Sequence, residues 1–338
     1  MSTEKRNENF MLKQSRYSKG KKNVKQYSKN NASKKSGSGK NSYNAYYKKN
    51  DDGFQPKSNG KSNYGKKKYP SKSKGYPKKN AQKPSIKIAF LGGLNEIGKN
   101  ITLVECENDI IIIDCGMAFP DGDMLGVDLV IPDFTYIEQN ADRVKGIILT
   151  HGHEDHIGGL PFLLSKVNVP IYGTPLTLGL VGNKLKEHSL YNQSQLNVIN
   201  AGQSIKLGCM KIDFIHVNHS IPDAVAFAIH TPGGTIVHTG DFKIDCTPIT
   251  GDMIDLSSFA RVGDEGVLAL LSESTNAERP GYTPTERTVS DSLDNLFKSA
   301  ENYRIIIATF ASNVNRVQQI IDCAEKYGRK VAFSGRSM

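Results

Sequence analysis

The sequence predicts an α/β fold that begins at residue 86 and follows a basic, disordered arm. Three observations predict it. Composition changes abruptly at residue 86, short apolar runs ending in polar residues come next, and helix and strand patterns alternate after residue 285. Strands with polar ends suit a sandwich of sheets, whereas the alternation suits a parallel layer. We therefore divide the chain into an arm (1–85), a strand-rich domain (86–270) and an α/β layer (271–338).

The arm is strongly basic, although the 338-residue chain has a net formal charge of only +10. Residues 1–85 hold 24 lysines and arginines against four acidic residues, so residues 86–338 are net acidic. Lysine, asparagine, serine and glycine predominate, and such a segment buries too little apolar surface to fold. Its tyrosines alternate with lysine clusters, so tyrosines could stack on unpaired bases while lysines neutralise phosphates. This pattern predicts contact with RNA or with an anionic surface. A solubilising tail without a fixed partner is the alternative.

Cysteine usage and hydropathy indicate the cellular compartment in which the protein is expected. The five cysteines are widely spaced without a CxxC pair, which argues against a disulfide framework and a structural zinc knuckle. Residues 1–30 contain no apolar segment of the kind found in secretory signals. The longest aliphatic run, residues 110–113, is strand-sized, whereas a membrane span needs about 20 residues. We expect a cytoplasmic protein in a reducing compartment, without membrane contact.

The elements of the strand-rich domain follow from apolar runs bounded by glycine or polar residues. A strand at 86–91 leads into a glycine loop at 92–98. Residues 144–150 form an apolar strand that ends directly before His151. The remaining predictions are helices at 160–166 and 176–188, and strands at 101–105, 110–114, 171–173, 205–207, 210–217, 224–230, 235–239 and 266–271.

The α/β layer is predicted from a change of period near residue 285. Helical patterns at 285–300 and 313–327 alternate with strand patterns at 304–309 and 330–333. Such alternation is typical of a parallel layer, in which each helix connects two strands.

The segment HGHEDH, residues 151–156, predicts a metal site. His151 and His153 can face one cation, while Asp155 and His156 face a neighbouring one. Imidazole and carboxylate ligands suit zinc, with manganese or magnesium as alternatives. Histidines of a solvent-exposed loop are the structural alternative. Three histidines and two acids within six residues at a strand end disfavour that alternative.

Further ligands are expected at other strand ends. His219 follows a strand and completes the first metal site, and Asp241 has two oxygens able to bridge both ions. His216 and His238 lie within strands, where we expect packed or hydrogen-bonded histidines. Asp114 ends its own strand and can orient a ligand by a hydrogen bond, with a turn-capping aspartate as the alternative.

These residues, in this order, resemble the metallo-β-lactamase superfamily. Six segments are similar to those of ribonuclease J: GGLNEIGKN (92–100), HSIPD (219–223), HTGDFK (238–243), LSESTN (271–276), TFASN (309–313) and GRSM (335–338). Ribonuclease J is a β-CASP nuclease, in which an inserted α/β domain clamps nucleic acid over the metal site. The resemblance implies a metallo-β-lactamase αββα sandwich with the start of an inserted β-CASP domain.

The resemblance also implies an activity. The expected enzyme hydrolyses RNA with two Zn²⁺ ions (Mn²⁺ or Mg²⁺ possible), which activate a hydroxide for attack on phosphorus. It would combine 5′→3′ exonuclease activity, favouring 5′-monophosphate ends, with endonuclease activity, in mRNA decay and rRNA maturation. Asp155, Asp241 and Glu273 are the expected catalytic residues, Glu273 matching the subfamily's first acidic motif. Implied partners are RNA, further copies in a dimer or tetramer, and RNA-decay or ribosome-associated proteins.

A terminal phosphate would need charged and polar donors beside the metal ions. Five residues at helix or strand ends of the α/β layer could supply them, each with a solvated surface role as the alternative: Ser312, Asn313, Arg316, Ser334 and Arg336.

Two alternatives belong to other functional classes. The chain ends at Met338, within the inserted domain of the resemblance, and the family's later histidine motifs have no counterpart. We therefore expect a fragment of a longer product, for which non-catalytic RNA binding is one alternative. The other is a small-molecule hydrolase acting on a thioester, lactone or β-lactam. Such enzymes share HxHxDH, but they lack the α/β layer and have no use for a basic arm.

Overall fold

The computed structural model describes residues 83–335. The predicted disordered arm lies outside this part of the chain, apart from residues 83–85, and so does Arg336. Within residues 83–335, none of the helices has the length and apolar character that crossing a membrane requires.

The first sheet has six strands in the order of the sequence, with an antiparallel half and a parallel half. The first three strands pair antiparallel, and the third to the sixth pair parallel. Isoleucine and valine are frequent in these strands because β-branched side chains pack well on a pleated surface. The strands are β1 (Ile86–Gly92), β2 (Ile101–Cys106), β3 (Asp109–Ile113), β4 (Val144–Ile148), β5 (Ile171–Gly173) and β6 (Leu196–Val198).

The second sheet has five strands, which pair antiparallel except for the last strand in the sequence, which pairs parallel with its neighbour. The strands are β7 (Ser204–Leu207), β8 (Met210–His216), β9 (Val225–Thr231), β10 (Gly234–His238) and β11 (Ala269–Leu271), in the order β11-β10-β9-β8-β7. Strands β7 to β10 form an antiparallel meander, and β11 pairs parallel with β10. As a result β8 and β10 run in the same direction.

Seven α-helices accompany the sheets. They are α1 (Thr135–Gln139), α2 (Glu154–Ile157), α3 (Leu160–Leu164), α4 (Pro175–Glu187), α5 (Leu256–Glu265), α6 (Arg287–Ser299) and α7 (Val314–Lys326), with short 3-10 turns at Ala141–Arg143 and Tyr191–Gln193. The count refers to residues 83–335.

Buried apolar side chains separate the strand-rich part into four layers. Along β3, Ile110 and Ile112 pack towards α1, α3 and α4, while Ile111 and Ile113 pack towards the second sheet. Phe214 and Phe227 lie in the core between the sheets, and their rings meet edge to face. The outer face of the second sheet packs against α5. The predicted αββα sandwich is therefore confirmed.

Two predicted strands of the later region are wrong. Residues 304–309 connect α6 to α7, and residues 330–333 follow α7. Neither segment forms a strand. A strand is stabilised by backbone hydrogen bonds to a neighbour, and within residues 83–335 neither segment makes a ladder. A third prediction, a strand over 266–271, is too long, because α5 ends at Glu265 and β11 begins at Ala269. The domain division at residue 271 stays a prediction.

Candidate metal centre

Polar side chains from four strand ends meet at one edge of the sandwich. Asp114 follows β3 and His151 follows the end of β4, and these two strands are parallel neighbours. His219 and Asp241 follow β8 and β10, which run in one direction in the second sheet. Both sheets therefore deliver side chains to the same place. The sequence predicts this convergence, because polar residues after parallel strands share one edge.

Two groups of side chains offer ligand atoms that lie within 4.8 Å of one another. The first group is His151, His153 and His219, and the second is His151, His156 and Asp241. His151 Nε2 lies 3.0 Å from His153 Nδ1, which lies 3.2 Å from His219 Nε2. Neighbouring nitrogens in a tetrahedral zinc site with bonds of about 2.0–2.1 Å are roughly 3.3 Å apart. The three imidazoles therefore fit a zinc-like ion.

Asp241 faces both groups with its two oxygens. Oδ1 lies 3.5 Å from His156 Nε2, and Oδ2 lies 3.7 Å from His219 Nε2. Asp155 is outside both groups, although its Oδ2 lies 3.6 Å from His156 Nε2. The six residues predicted as ligands are thus brought together, with Asp155 at the border. Nitrogen and carboxylate donors suit zinc or manganese.

Thr150, which the sequence analysis missed, connects the buried histidines to Asp114. Its hydroxyl lies 2.8 Å from Asp114 Oδ2 and 3.0 Å from His151 Nδ1. Because a carboxylate only accepts, the hydroxyl donates to Asp114 and accepts from the Nδ1–H of His151. His156 Nδ1 also lies 2.8 Å from Asp114 Oδ2 and donates to it. Both imidazoles therefore present Nε2 to the centre.

Burial and neighbouring charges set the protonation of these groups. Burial lowers the pKa of His151 well below its usual range, and it lowers the pKa of His219 to about 4. Burial acts in the same direction on His156, but the charge of Asp114 outweighs it and raises the pKa well above the usual range. For Asp241, burial acts to raise the pKa, whereas the hydrogen bond and charge of His156 hold it at about 2. Neutral imidazoles and an ionised carboxylate are the forms that bind metal, so His151, His219 and Asp241 are in the binding form, whereas His156 must lose a proton when a cation binds.

Asn100 is a second residue that the sequence analysis missed, although its loop was used for the resemblance. Its side-chain Nδ2 lies 3.1 Å from the Asp155 carbonyl and 3.2 Å from His156 Nε2. Its backbone N–H donates to the same carbonyl at 3.0 Å. Asn100 thereby connects the glycine loop to the first turn of α2. Because an asparagine after a glycine loop is common, the sequence carries no distinctive signal for this role.

Glu273, His216 and His238 lie outside the two ligand groups. Glu273 lines a cavity of about 760 Å³ together with Asp155, His156 and Asp241, but its carboxylate accepts from the backbone of Thr275 at 2.8 Å. His238 lines the same cavity, and its Nδ1 accepts from the Gly240 N–H. His216 lies 3.0 Å from the Asp252 carbonyl. His216 and His238 are therefore both hydrogen-bonded, which is the role expected of them from their place in strands.

The residues predicted to bind a terminal phosphate lie in two separate places. The Ser312 carbonyl lies 3.3 Å from His153 Nε2, and the Asn313 side chain caps α7 by accepting from the Arg316 N–H at 3.0 Å. The Arg316 guanidinium pairs with Glu286 at 2.8 Å. Ser334 instead lines an apolar cavity of about 460 Å³ beside α6 and α7. Three of the five predicted residues are therefore near the centre, and Arg336 lies outside the described residues.

Comparisons with known proteins agree with this geometry. The family described as "Metallo-beta-lactamase superfamily" matches residues 94–283, and "Ribonuclease J, beta-CASP domain" matches residues 302–338. Ribonuclease J 1 of Streptococcus pyogenes is 49% identical over 253 residues, which is 75% of this chain and 45% of that protein. Ribonuclease J2 of Bacillus subtilis is 47% identical over 261 residues, 77% of this chain and 46% of that protein.

The chain thus spans a little under half the length of these two curated relatives. A crystal structure of an Enterococcus faecalis protein of unknown function superposes with a TM-score of 0.55 at 18% identity, covering 75% of this chain and 71% of the other. That likeness concerns the fold alone. A family match over more than half of the sequence, together with the αββα layers and the histidine centre, leads to one conclusion: the chain belongs to the metallo-beta-lactamase superfamily.

Proposed function

We propose that this chain carries the metal centre of a ribonuclease that hydrolyses phosphodiester bonds in RNA. The observation that carries the proposal is the pair of ligand groups sharing His151. Its support from sequence is the similarity to relatives named ribonuclease J across three quarters of the chain.

The ligands are proposed for two divalent cations, with zinc favoured by the imidazoles. His151, His153 and His219 would hold the first, and Asp155 and His156 the second, with Asp241 reaching both. When bound, such ions supply positive charge that acidifies water and stabilises the charge developing on a phosphoryl group. The spacing of the imidazole nitrogens supports this assignment of the first site.

A carboxylate would accept the proton of the attacking water. Asp155 is the proposed acceptor, because its side chain is 34% exposed and lies at the mouth of the second group. Asp241 is held more deeply and orients the histidines of both groups. Glu273 lines the same cavity and is proposed as a third acidic residue of the catalytic site. General-base assistance of this type contributes about 100- to 10,000-fold to a rate.

RNA is proposed to reach the centre from the side of α7. Ser312, Asn313 and Arg316 lie there. Their hydroxyl, side-chain amide N–H and guanidinium groups, respectively, are the donors that would orient a 5′ phosphate. Combined 5′→3′ exonuclease and endonuclease activity in mRNA decay and rRNA maturation is the corresponding proposal for the whole protein. Self-association and RNA-decay partners belong to the same proposal.

Replacing the residue that is proposed to reach both cations tests the site. Asp241→Ala should reduce cleavage of a 5′-monophosphorylated RNA by at least about 100-fold while the fold is retained, because each proposed cation would lose an oxygen ligand. The matched control is Asp213→Ala, since Asp213 also contacts a histidine, His230, at 2.9 Å but lies away from the centre. Cleavage by Asp241→Ala at the control's rate, on protein that binds zinc, would refute the assignment.

A further inference from the structure

The start of α7 and the residues just before it contact two of the three histidines of the first group. The Ser312 carbonyl lies 3.3 Å from His153 Nε2. Asn315 Nδ2 lies 3.4 Å from the backbone carbonyl of His219. These contacts join parts of the chain separated by 159 and 96 residues. The segment 312–315 comprises the two residues before α7 and the first two residues of α7, and it is here termed the α7 loop. It therefore contacts the first ligand group.

The contact with Ser312 determines which nitrogen of His153 can bind a metal ion. A carbonyl oxygen only accepts hydrogen bonds, so the proton of the neutral imidazole resides on Nε2. The unprotonated atom is then Nδ1, the nitrogen that lies 3.0 Å from His151 Nε2 and 3.2 Å from His219 Nε2. Hydrogen bonds of this kind orient histidine ligands and raise their basicity. The α7 loop thus presents the correct nitrogen of His153 to the centre.

An ion-pair network holds the α7 loop in place. Glu286, at the start of α6, accepts from Arg316 of α7 at 2.8 Å and from Lys243 at 2.8 Å. All three side chains are at most 27% exposed. Removing a partner from a largely buried network costs more than breaking an exposed pair, because the remaining charges lose their compensation.

The same network reaches the strand ends that carry the ligands. Lys243 lies two residues after Asp241, and its backbone N–H donates to the carbonyl of Asn218, which precedes His219. Asn315 is held from the other side, where its Oδ1 accepts from Thr250 at 3.0 Å. Glu286 therefore sits between α7 and the segments of Asp241 and His219.

We propose that the α6–α7 layer is part of the metal centre, with Glu286 and Asn315 as positioning residues for His153 and His219. Glu286 holds α7 so that the Ser312 carbonyl selects Nδ1 of His153, and Asn315 fixes the backbone of His219. The proposal rests on the metal centre proposed above. It adds that a region outside the αββα sandwich determines the affinity of the first site.

Zinc binding tests the proposal without measuring RNA cleavage. Full-length chain carrying Glu286→Gln is titrated with Zn²⁺ against a chromophoric chelator, and we expect the first-site affinity to fall about 10- to 100-fold. The matched control is Asp294→Asn, which breaks the pair of Asp294 with Lys326, also between α6 and α7. Lys326 is the last residue of α7, ten residues beyond Arg316, and one helix residue spans about 1.5 Å. The control should bind zinc as the wild type does.

A second variant and a spectroscopic measurement complete the test. Asn315→Ala should also weaken the first site, and it decides the matter if Glu286→Gln does not fold. In zinc-free protein, ¹⁵N shifts of His153 should show the proton on Nε2 in the wild type and a tautomer mixture in Glu286→Gln. Zinc affinities of the folded variants within twofold of the control would overturn the inference. Failure of the wild type itself to bind zinc would instead overturn the proposed metal centre.

Discussion

Glu105 shows how a single buried carboxylate can connect separate elements. Lys87 of β1 and Arg143 lie 3.0 and 2.8 Å from its Oε1, and Tyr136 of α1 donates to its Oε2 at 2.8 Å. The residue is 7% exposed. Burial acts to raise the pKa of Glu105, but the hydrogen bonds, that from Arg143 above all, hold it at about 2 against an ordinary 4.5. The ionised form is therefore the one that stabilises the fold.

The expected pH dependence follows from this depressed pKa. The contribution of Glu105 is complete above pH 4.5 and is lost as the pH falls towards 2. Glu105→Gln should lower the free energy of unfolding by about 2 kcal/mol at pH 7, and the difference from wild type should shrink between pH 4.5 and pH 2. Urea unfolding at several pH values measures it. The exposed pair of Glu138 with Lys166 supplies the control variant Glu138→Gln. A difference independent of pH would contradict the expectation.

At this scale the sequence indicates candidate ligands more readily than the residues that hold them in position. HGHEDH is recognisable because four candidate ligands within six consecutive residues leave a pattern in the chain. Thr150 and Asn100 leave no such pattern, since a threonine in an apolar strand and an asparagine after a glycine loop are common. Their roles depend on contacts with residues that are distant in sequence, and only the fold brings those together.

Among the secondary-structure elements, the short helix α2, which carries part of HGHEDH, depends on close contact between its backbone and that of Gly116. A Cβ on Gly116 would lie 1.6 Å from the carbonyl oxygen of Asp155 and 2.2 Å from its carbonyl carbon. Backbone hydrogen bonds join the same two segments, and in one of them the Cys115 N–H donates to the carbonyl of His156 at 2.8 Å. Any side chain at residue 116 must therefore displace the segment on which the ligands lie.

Gly116→Ala should consequently damage both the fold and the centre. We expect a loss of about 3 kcal/mol or more in unfolding free energy, because the clash involves backbone that cannot rotate away. Chemical denaturation and zinc titration provide the measurements. Gly179→Ala is the control: a Cβ there meets nothing within 4 Å, and alanine favours the helix by up to about 1 kcal/mol. A Gly116→Ala protein as stable as the control would contradict the packing described.

Element prediction succeeded where each apolar run has a neighbour to pair with. The isoleucine-rich β3 lies between β2 and β4, and its alternate side chains fill two cores. The segment 304–309 carries a similar pattern, yet Ile306 is 88% exposed. An apolar run specifies the capacity to form a strand, whereas the ladder requires a partner at the correct distance. The periodicity of a sequence shows that a segment could form a strand, but it does not show whether a partner strand lies beside it.

For the molecule as a whole, charge is divided between its two ends. The 24 basic and four acidic residues of positions 1–85 contrast with the 20 basic and 30 acidic residues after them. The acidic part includes Asp155, Asp241 and Glu273, which would repel an RNA backbone until cations bind. Attraction of RNA is therefore expected to come from the arm and from local basic residues.

Deleting residues 1–85 should weaken RNA binding and flatten its dependence on salt, because fewer counterions are released. Cleavage of a short RNA should persist, since the ligand groups lie outside the deleted segment. Binding measured across a series of salt concentrations gives the slope. A chain whose arm is replaced by a glycine–serine segment of equal length serves as the control for size. An unchanged slope would exclude the arm as an RNA contact.

The division of ligands between two sheets has a thermodynamic consequence. His151 and His153 follow a strand of the first sheet, whereas His219 and Asp241 follow strands of the second. An ion held by both sets cross-links the sandwich, so the sheets cannot separate without releasing it. By linkage, a free ion concentration 100 times the dissociation constant adds about 2.7 kcal/mol to the stability of the native state. The melting temperature would then depend on the supply of metal as well as on the packing of the cores.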